Sequence, residues 1–256
     1  MKKLKIGISF LLIVGFTSLL FAFENKKPTF YLIGDSTVRN GKLPMCGWGE
    51  VIGNYFDTSK ISIQNKAMAG RSTRTFIKEG RWDSVIAKIQ KGDYLIMQFG
   101  HNEGSKPDTS KSGYRGVLPG TGEETKDLVW PDGKPETVHT YGFYLRKFVR
   151  EAKAKGAIVL IASMIPRNEW KDGKVIRANN DYGKWAQEIA QQEDAFFIPL
   201  NDITADKYEV MGQDKVKTLF PLEHTHTNVE GATINAESVV EGIKKTPDCS
   251  LNNYLK

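Results

Sequence analysis

Phe30-Tyr31-Leu32-Ile33-Gly34-Asp35-Ser36-Thr37 is the stretch that decides the fold. Its four leading apolar residues are too few for a helix and end on a glycine, so they read as a short buried strand. A strand that is apolar at every position has both of its faces covered, which is the condition of a parallel sheet flanked by helices. Asp35, Ser36 and Thr37 then fall at the carboxyl end of that strand, where sheets of this kind hold their ligands.

The rest of the chain repeats the pattern. Residues 61–65 alternate in strand fashion, and residues 94–99, 157–162 and 196–200 are compact apolar runs that read as three more strands. Between them lie helical segments. Residues 48–56 read as a helix, and Trp82, Val85, Ile86 and Ile89 recur at helical spacing. Tyr144, Leu145, Phe148, Val149 and Ala152 form a clear stripe, with Thr140 placed to cap it and Gly156 to stop it. Tyr182, Trp185, Ala186, Ile189 and Ala190 make the next helix, and Ala232, Ala236, Val239, Val240 and Ile243 the last. Strands alternating with amphipathic helices predict an α/β fold around a parallel sheet. Residues 103–139 break the rhythm. Rich in Gly, Pro, Lys, Asp and Thr, they read as one long loop following the third strand, over the site end of the sheet.

A chain of 256 residues suits one such domain and is short for two. Its opening stands apart. Lys2, Lys3 and Lys5 precede an apolar run from Ile6 to Phe21, and Ala22 supplies a small residue at a cleavage point. Residues 1–22 therefore read as a secretory signal peptide, leaving residues 23–256 as a single domain. The run is short for a membrane-spanning helix, and no later segment is apolar enough to span. The expected protein is thus secreted or periplasmic, without stable membrane insertion after cleavage. Losing three lysines and no acid lowers the formal charge from +6 to +3. That weak basicity argues for no nucleic-acid partner and is compatible with an acidic substrate. Cys46 and Cys249 can meet in an oxidising compartment, but spacing does not establish that they do.

Polar signals follow the strand ends. Ser36 is either a turn residue or a nucleophile. In Asn65-Lys66-Ala67-Met68-Ala69-Gly70-Arg71-Ser72, Gly70 can make a tight turn or offer its N–H to a ligand. In Gly100-His101-Asn102, the Asn102 amide is either a turn residue or a donor to a developing oxyanion. Near the C-terminus stands Glu223-His224-Thr225-His226. A carboxylate three residues before a histidine can turn back and accept from its Nδ1–H, leaving Nε2 to take a proton from a serine. His224 and His226 can instead be read as two metal ligands, but zinc needs three or four that converge. His139, in the long loop, reads as a surface residue. Nucleophile, base, orienting acid and oxyanion donors are the parts of an acyl-transfer site.

With these residues the sequence resembles the SGNH (GDSL-type) hydrolases. Gly47-Trp48-Gly49-Glu50, Ala69-Gly70-Arg71-Ser72, Glu79-Gly80-Arg81, Gly92-Asp93-Tyr94, Phe99-Gly100-His101-Asn102 and His224-Thr225-His226-Thr227 are similar to the rhamnogalacturonan acetylesterases within that superfamily. The likeness covers nearly the whole mature chain and weakens across residues 103–139. It implies a flavodoxin-like three-layer α/β/α sandwich with a five-stranded parallel sheet. It also implies Ser36 as nucleophile, His226 as base, and Gly70 and Asn102 as oxyanion-hole donors joined by the N–H of Ser36. No cofactor or metal is implied, and a monomer is expected. Two residues depart from the pattern: Glu223 and Glu103 each stand where the family has Asp. Glu223 becomes the third triad member if its longer side chain still reaches the imidazole.

The function expected is removal of acetyl groups from a pectic polysaccharide, rhamnogalacturonan. Arg71, Arg74 and Arg81 then become either galacturonate contacts or structural ion pairs, and Trp130 and Trp170 either sugar platforms or packing residues. The alternatives are an SGNH esterase acting on acetylated xylan or small acyl esters, a metal-dependent hydrolase using His224 and His226, and a noncatalytic carbohydrate-binding protein on the same fold.

Overall fold

In a computed structural model, which describes residues 27–256, the opening apolar stretch becomes β1 (Thr29–Gly34), buried at all six positions. The leader expected at residues 1–22 lies outside the described residues. After β1 come α1 (Trp48–Val51) with a 3-10 turn at its end (Ile52–Tyr55), β2 (Ser62–Asn65), α2 (Thr73–Lys78), α3 (Arg81–Ile86) and β3 (Tyr94–Gln98). There follow β4 (Thr125–Val129), β5 (Pro135–His139), α4 (Tyr141–Ala154), β6 (Ile158–Ala162), β7 (Trp170–Lys171) and β8 (Lys174–Val175). The chain closes with α5 (Tyr182–Gln192), β9 (Phe196–Ile198), α6 (Leu200–Met211), α7 (Gln213–Lys217), α8 (Val229–Lys244) and a 3-10 turn (Ser250–Tyr254).

One parallel sheet of five strands, in the order β2-β1-β3-β6-β9, forms the centre. Side chains alternate across it. Tyr31 and Ile33 join Leu95, Met97, Val159 and Ile161 in a core completed by Phe76, Trp82, Leu145, Phe148 and Ala186 from α2 to α5. Phe30 and Leu32 join Ile96, Leu160 and Ala162 on the opposite face, under Trp48, Ile52, Ala236, Val239 and Ile243. Both faces are covered, which is why β1, β3 and β6 carry no polar alternation, while the edge strand β2 does. The result is the expected α/β/α sandwich. From β1 the chain passes first to β2 on one side and then to β3 on the other, so the winding direction reverses between β1 and β3. That reversal opens a crevice at the strands' carboxyl ends.

The capping signals act as read. Thr140 Oγ1 accepts the N–H of Phe143 at 3.1 Å to start α4, and Gly156, at φ 80°, follows its end. Other expectations need correction. Residues 103–139 are not a plain loop, since β4 and β5 pair as an antiparallel ribbon within them. The helix expected at 48–56 is α1 followed by a 3-10 turn, and the strand expected at 196–200 stops at Ile198, because Leu200 already begins α6. Cys46 is partly exposed and Cys249 buried in the core, and both are free thiols. Among the described residues no helix is long and apolar enough to cross a membrane.

Candidate active site

Ser36 sits in the turn after β1, and several contacts brace that turn. Asp35 Oδ1 accepts the N–H and the hydroxyl of Thr37, at 2.9 and 2.7 Å. Gln98, the last residue of β3, donates to Thr37 Oγ1 at 2.8 Å and accepts from Trp48 Nε1 at 2.9 Å. Gly34 makes the turn possible by close approach: a Cβ there would lie 2.4 Å from the Gln98 carbonyl and 2.6 Å from Val38.

His226 comes from the loop before α8, 190 residues away, and its Nε2 lies 2.7 Å from Ser36 Oγ. The loop is pinned on both sides. Cys46 N–H donates to Thr227 O at 2.8 Å and Thr227 Oγ1 to Cys46 O at 3.3 Å, while Asn168 N–H donates to His224 O at 2.7 Å. Behind the ring, Glu223 Oε1 stands 2.6 Å from Nδ1 of His226. The longer side chain therefore reaches. Glu223 also accepts the backbone N–H groups of Thr225 and His226, each at 2.8 Å. Burial opposes its ionisation, but these amides and the ring outweigh it and hold the carboxyl below its ordinary value. The line runs outward: Ser36 is 7% exposed, the His226 ring 25% and Glu223 43%.

The other three histidines lie off this line. His101 is enclosed against the backbone of Ile165, and burial, with the charge of Arg167, lowers it to about 3, so it stays neutral. His139, expected on the surface, is partly buried and stacks on Phe143 at 3.7 Å. His224 Nδ1 faces Glu169 Oε1 at 3.3 Å, so the two histidines of the His-x-His pair serve different partners.

Donors converge beside Ser36. Met68 N–H donates to Gly34 O at 3.0 Å, drawing the loop after β2 against the nucleophile turn. Within that loop Gly70 takes φ 75°, a conformation that favours glycine, and its missing Cβ faces open space. The N–H groups of Ser36 and Gly70 donate to no protein acceptor among the described residues. Asn102 Nδ2 donates to Arg71 O at 3.2 Å, leaving its second hydrogen for a ligand. The amide is oriented by Arg115, whose Nη1 donates to Asn102 Oδ1 at 2.8 Å.

Glu103, buried at 0% exposure, ties the loops together by accepting from Thr73 N–H at 2.8 Å and Asn102 N–H at 2.9 Å. Burial and the neighbouring Asp35 carboxyl push it up to about 8, against those amide bonds. Asp35 is likewise raised by burial.

The arginines divide. Arg71 and Arg81 share Glu79, at 2.9 and 2.7 Å, but Arg71 still lines a cavity beside Gly70. Arg74, a candidate for either a galacturonate contact or a structural ion pair, is 1% exposed and takes the structural role. It makes a bidentate pair with Glu136 and donates to the carbonyls of Gly113 and Gly116, so it clasps the 103–139 insert to α2. Trp130 donates to Glu136 at 2.6 Å and carries the Lys78 ammonium over its ring at 3.5 Å, and Trp170 donates to Asn168 at 2.8 Å; these contacts are structural. Gln98 and Arg115 escaped the reading of the sequence, and Asp35 and Trp48 were met in it only as parts of motifs, without their bracing roles. Arg115 carried a signal as a cation in a long segment already placed over the site.

A serine, an imidazole and a carboxylate in line, beside unpartnered N–H groups at the crevice of a doubly wound sheet, are the parts of an acyl-transfer site. Residues 32–234 match the sequence profile of the GDSL-like Lipase/Acylhydrolase family, and the chain belongs to that family. It is a carboxylic ester hydrolase. It is 34% identical to a rhamnogalacturonan acetylesterase of Emericella nidulans, over 90% of each chain. Among solved structures, YxiM of Bacillus subtilis superposes with a TM-score of 0.70 at 22% identity, over 87% of this chain and 58% of that longer one. An acetylxylan esterase from Geobacillus stearothermophilus superposes at 0.57 with 17% identity, over 84% and 94%. Membership of a hydrolase family sets aside the noncatalytic reading.

Proposed function

We propose that this protein is an exported acetylesterase that removes acetyl groups from pectic rhamnogalacturonan, with Ser36, His226 and Glu223 as its catalytic line. The observation that carries the mechanism is the 2.7 Å contact between Ser36 Oγ and His226 Nε2, backed by Glu223. The substrate rests on the similarity to the Emericella enzyme, and export on the basic and apolar opening of the sequence.

His226 Nε2 takes the Ser36 proton as Oγ bonds to the acetyl carbonyl carbon. The carbonyl oxygen becomes an oxyanion held by the N–H groups of Ser36 and Gly70 and by the Asn102 amide. Glu223 keeps Nδ1 protonated and stabilises the imidazolium that forms. That imidazolium protonates the departing sugar hydroxyl, leaving acetyl on Ser36. Water, deprotonated by His226, attacks the acetyl-serine and releases acetate.

The test is acetate release from acetylated rhamnogalacturonan and from acetylated xylan, by wild type and by Ser36→Ala. The proposal expects wild type to favour the pectic polymer and Ser36→Ala to release none above background. A preference for xylan would transfer the enzyme to the substrate named for the Geobacillus esterase that shares its fold.

A further inference from the structure

Gly70, one of the oxyanion donors, also lines a cavity of about 340 Å³ walled further by Arg71, Glu79, Lys111, Tyr114 and Arg115. Its charge is unbalanced. Arg71 is matched by Glu79, but among the described residues neither Lys111 nor Arg115 has a carboxylate partner. Arg115 uses Nη1 on the uncharged Asn102 Oδ1, which leaves the remaining donors of its planar fork for a ligand. Lys111 and Arg115 both belong to the 103–139 insert. Arg74 and Glu136 hold that insert in place, so the two cations face the site from a braced segment.

We propose that this cavity is a carboxylate-binding subsite for a uronic acid residue of the polymer, with Lys111 and Arg115 as its cationic contacts. The inference rests on the pectic reading above and adds where the polymer's charge is recognised. An arginine fork suits a planar carboxylate. Because the same guanidinium orients Asn102, carboxylate binding there is joined directly to the alignment of the oxyanion hole. The subsite is specific to this insert and independent of the Ser36–His226 line.

The experiment uses one set of acetylated rhamnogalacturonan oligosaccharides in two forms, with free carboxylates and with those carboxylates methyl-esterified. Acetate release gives kcat/KM for each. Wild type is expected to prefer the free acid by about tenfold, the factor one charge-assisted hydrogen bond of ordinary strength supplies. Lys111→Ala and Arg115→Gln should each bring the ratio towards one. Because Arg115→Gln also removes the donor to Asn102, its effect is read as the ratio between the two substrate forms and not as absolute rate. Equal kcat/KM for the two forms in wild type, or a ratio preserved in both variants, overturns the subsite and leaves the acetylesterase reading intact. Release of no acetate from either form by wild type overturns the pectic reading and the subsite together.

Discussion

Glu223 Oε1 lies 2.6 Å from the Nδ1 of His226 and also accepts that residue's own backbone N–H at 2.8 Å. The carboxylate that orients the ring is thus locked to the ring's main chain, and this geometry accommodates a glutamate where the family has aspartate. Glu223→Gln should keep the fold and lower kcat by on the order of 10³-fold or more, through the wrong tautomer and an unstabilised imidazolium. Steady-state kinetics on an acetyl ester check this. A near-normal kcat would show that a different group orients His226.

Asn102 is expected to act on the transition state more than on substrate binding. Asn102→Ala should reduce kcat by about 100-fold or more with a smaller change in KM. A rise in KM at unchanged kcat would instead make Asn102 a ground-state contact.

The pair of Arg74 and Glu136 fastens the insert. Removing one partner leaves a buried charge uncompensated, so Glu136→Ala should cost about 3 kcal/mol, read as a lower midpoint in denaturant unfolding. Burial opposes ionisation of Glu136, but Arg74, Lys78 and Trp130 hold its carboxyl at about 2, below the ordinary 4.5. A depressed carboxyl contributes its stability in full above the unfolded value and loses it as pH falls towards the folded one. The insert should therefore loosen between about pH 4.5 and 2, and that acid sensitivity should be weaker in Glu136→Ala. An unchanged acid limb of the unfolding curve would contradict this role.

Glu103 carries the opposite sign. Its carboxyl is raised from 4.5 to about 8, so the folded protein binds a proton that the unfolded chain releases earlier. Stability should then fall as pH rises between those values and level off above them. Thermal melts across that range should show a shallower slope for Glu103→Gln than for wild type. Parallel slopes would remove Glu103 as the source.

What the sequence disclosed and what it hid divide along physical lines. The buried strands were legible because a sheet covered on both faces requires unbroken apolar runs, as at residues 30–33. Ser36, Gly70, Asn102 and His226 were legible because each follows a strand or stands before the last helix. The structure of residues 103–139 was hidden, since the ribbon β4–β5 is exposed or half-buried everywhere but Val138 and gives little apolar signal. Helix α6 was missed because it begins two residues after the end of β9, and Asp202, Thr204 and Asp206 weaken its local propensity. The two roles open to Arg74 could not be separated because its partner Glu136 lies 62 residues further on, a separation that spacing cannot reveal. The same limit hid Arg115, which meets Asn102 only once the insert folds back over the sheet.

The most direct measurement of the central claim is mass-spectrometric peptide mapping after reaction with a serine-directed phosphonate. The label is predicted on the peptide containing Ser36 in wild type, with strongly reduced labelling in His226→Ala. Activity lost with the label on a different serine, or Ser36→Ala turning over acetyl ester at the wild-type rate, would contradict the account.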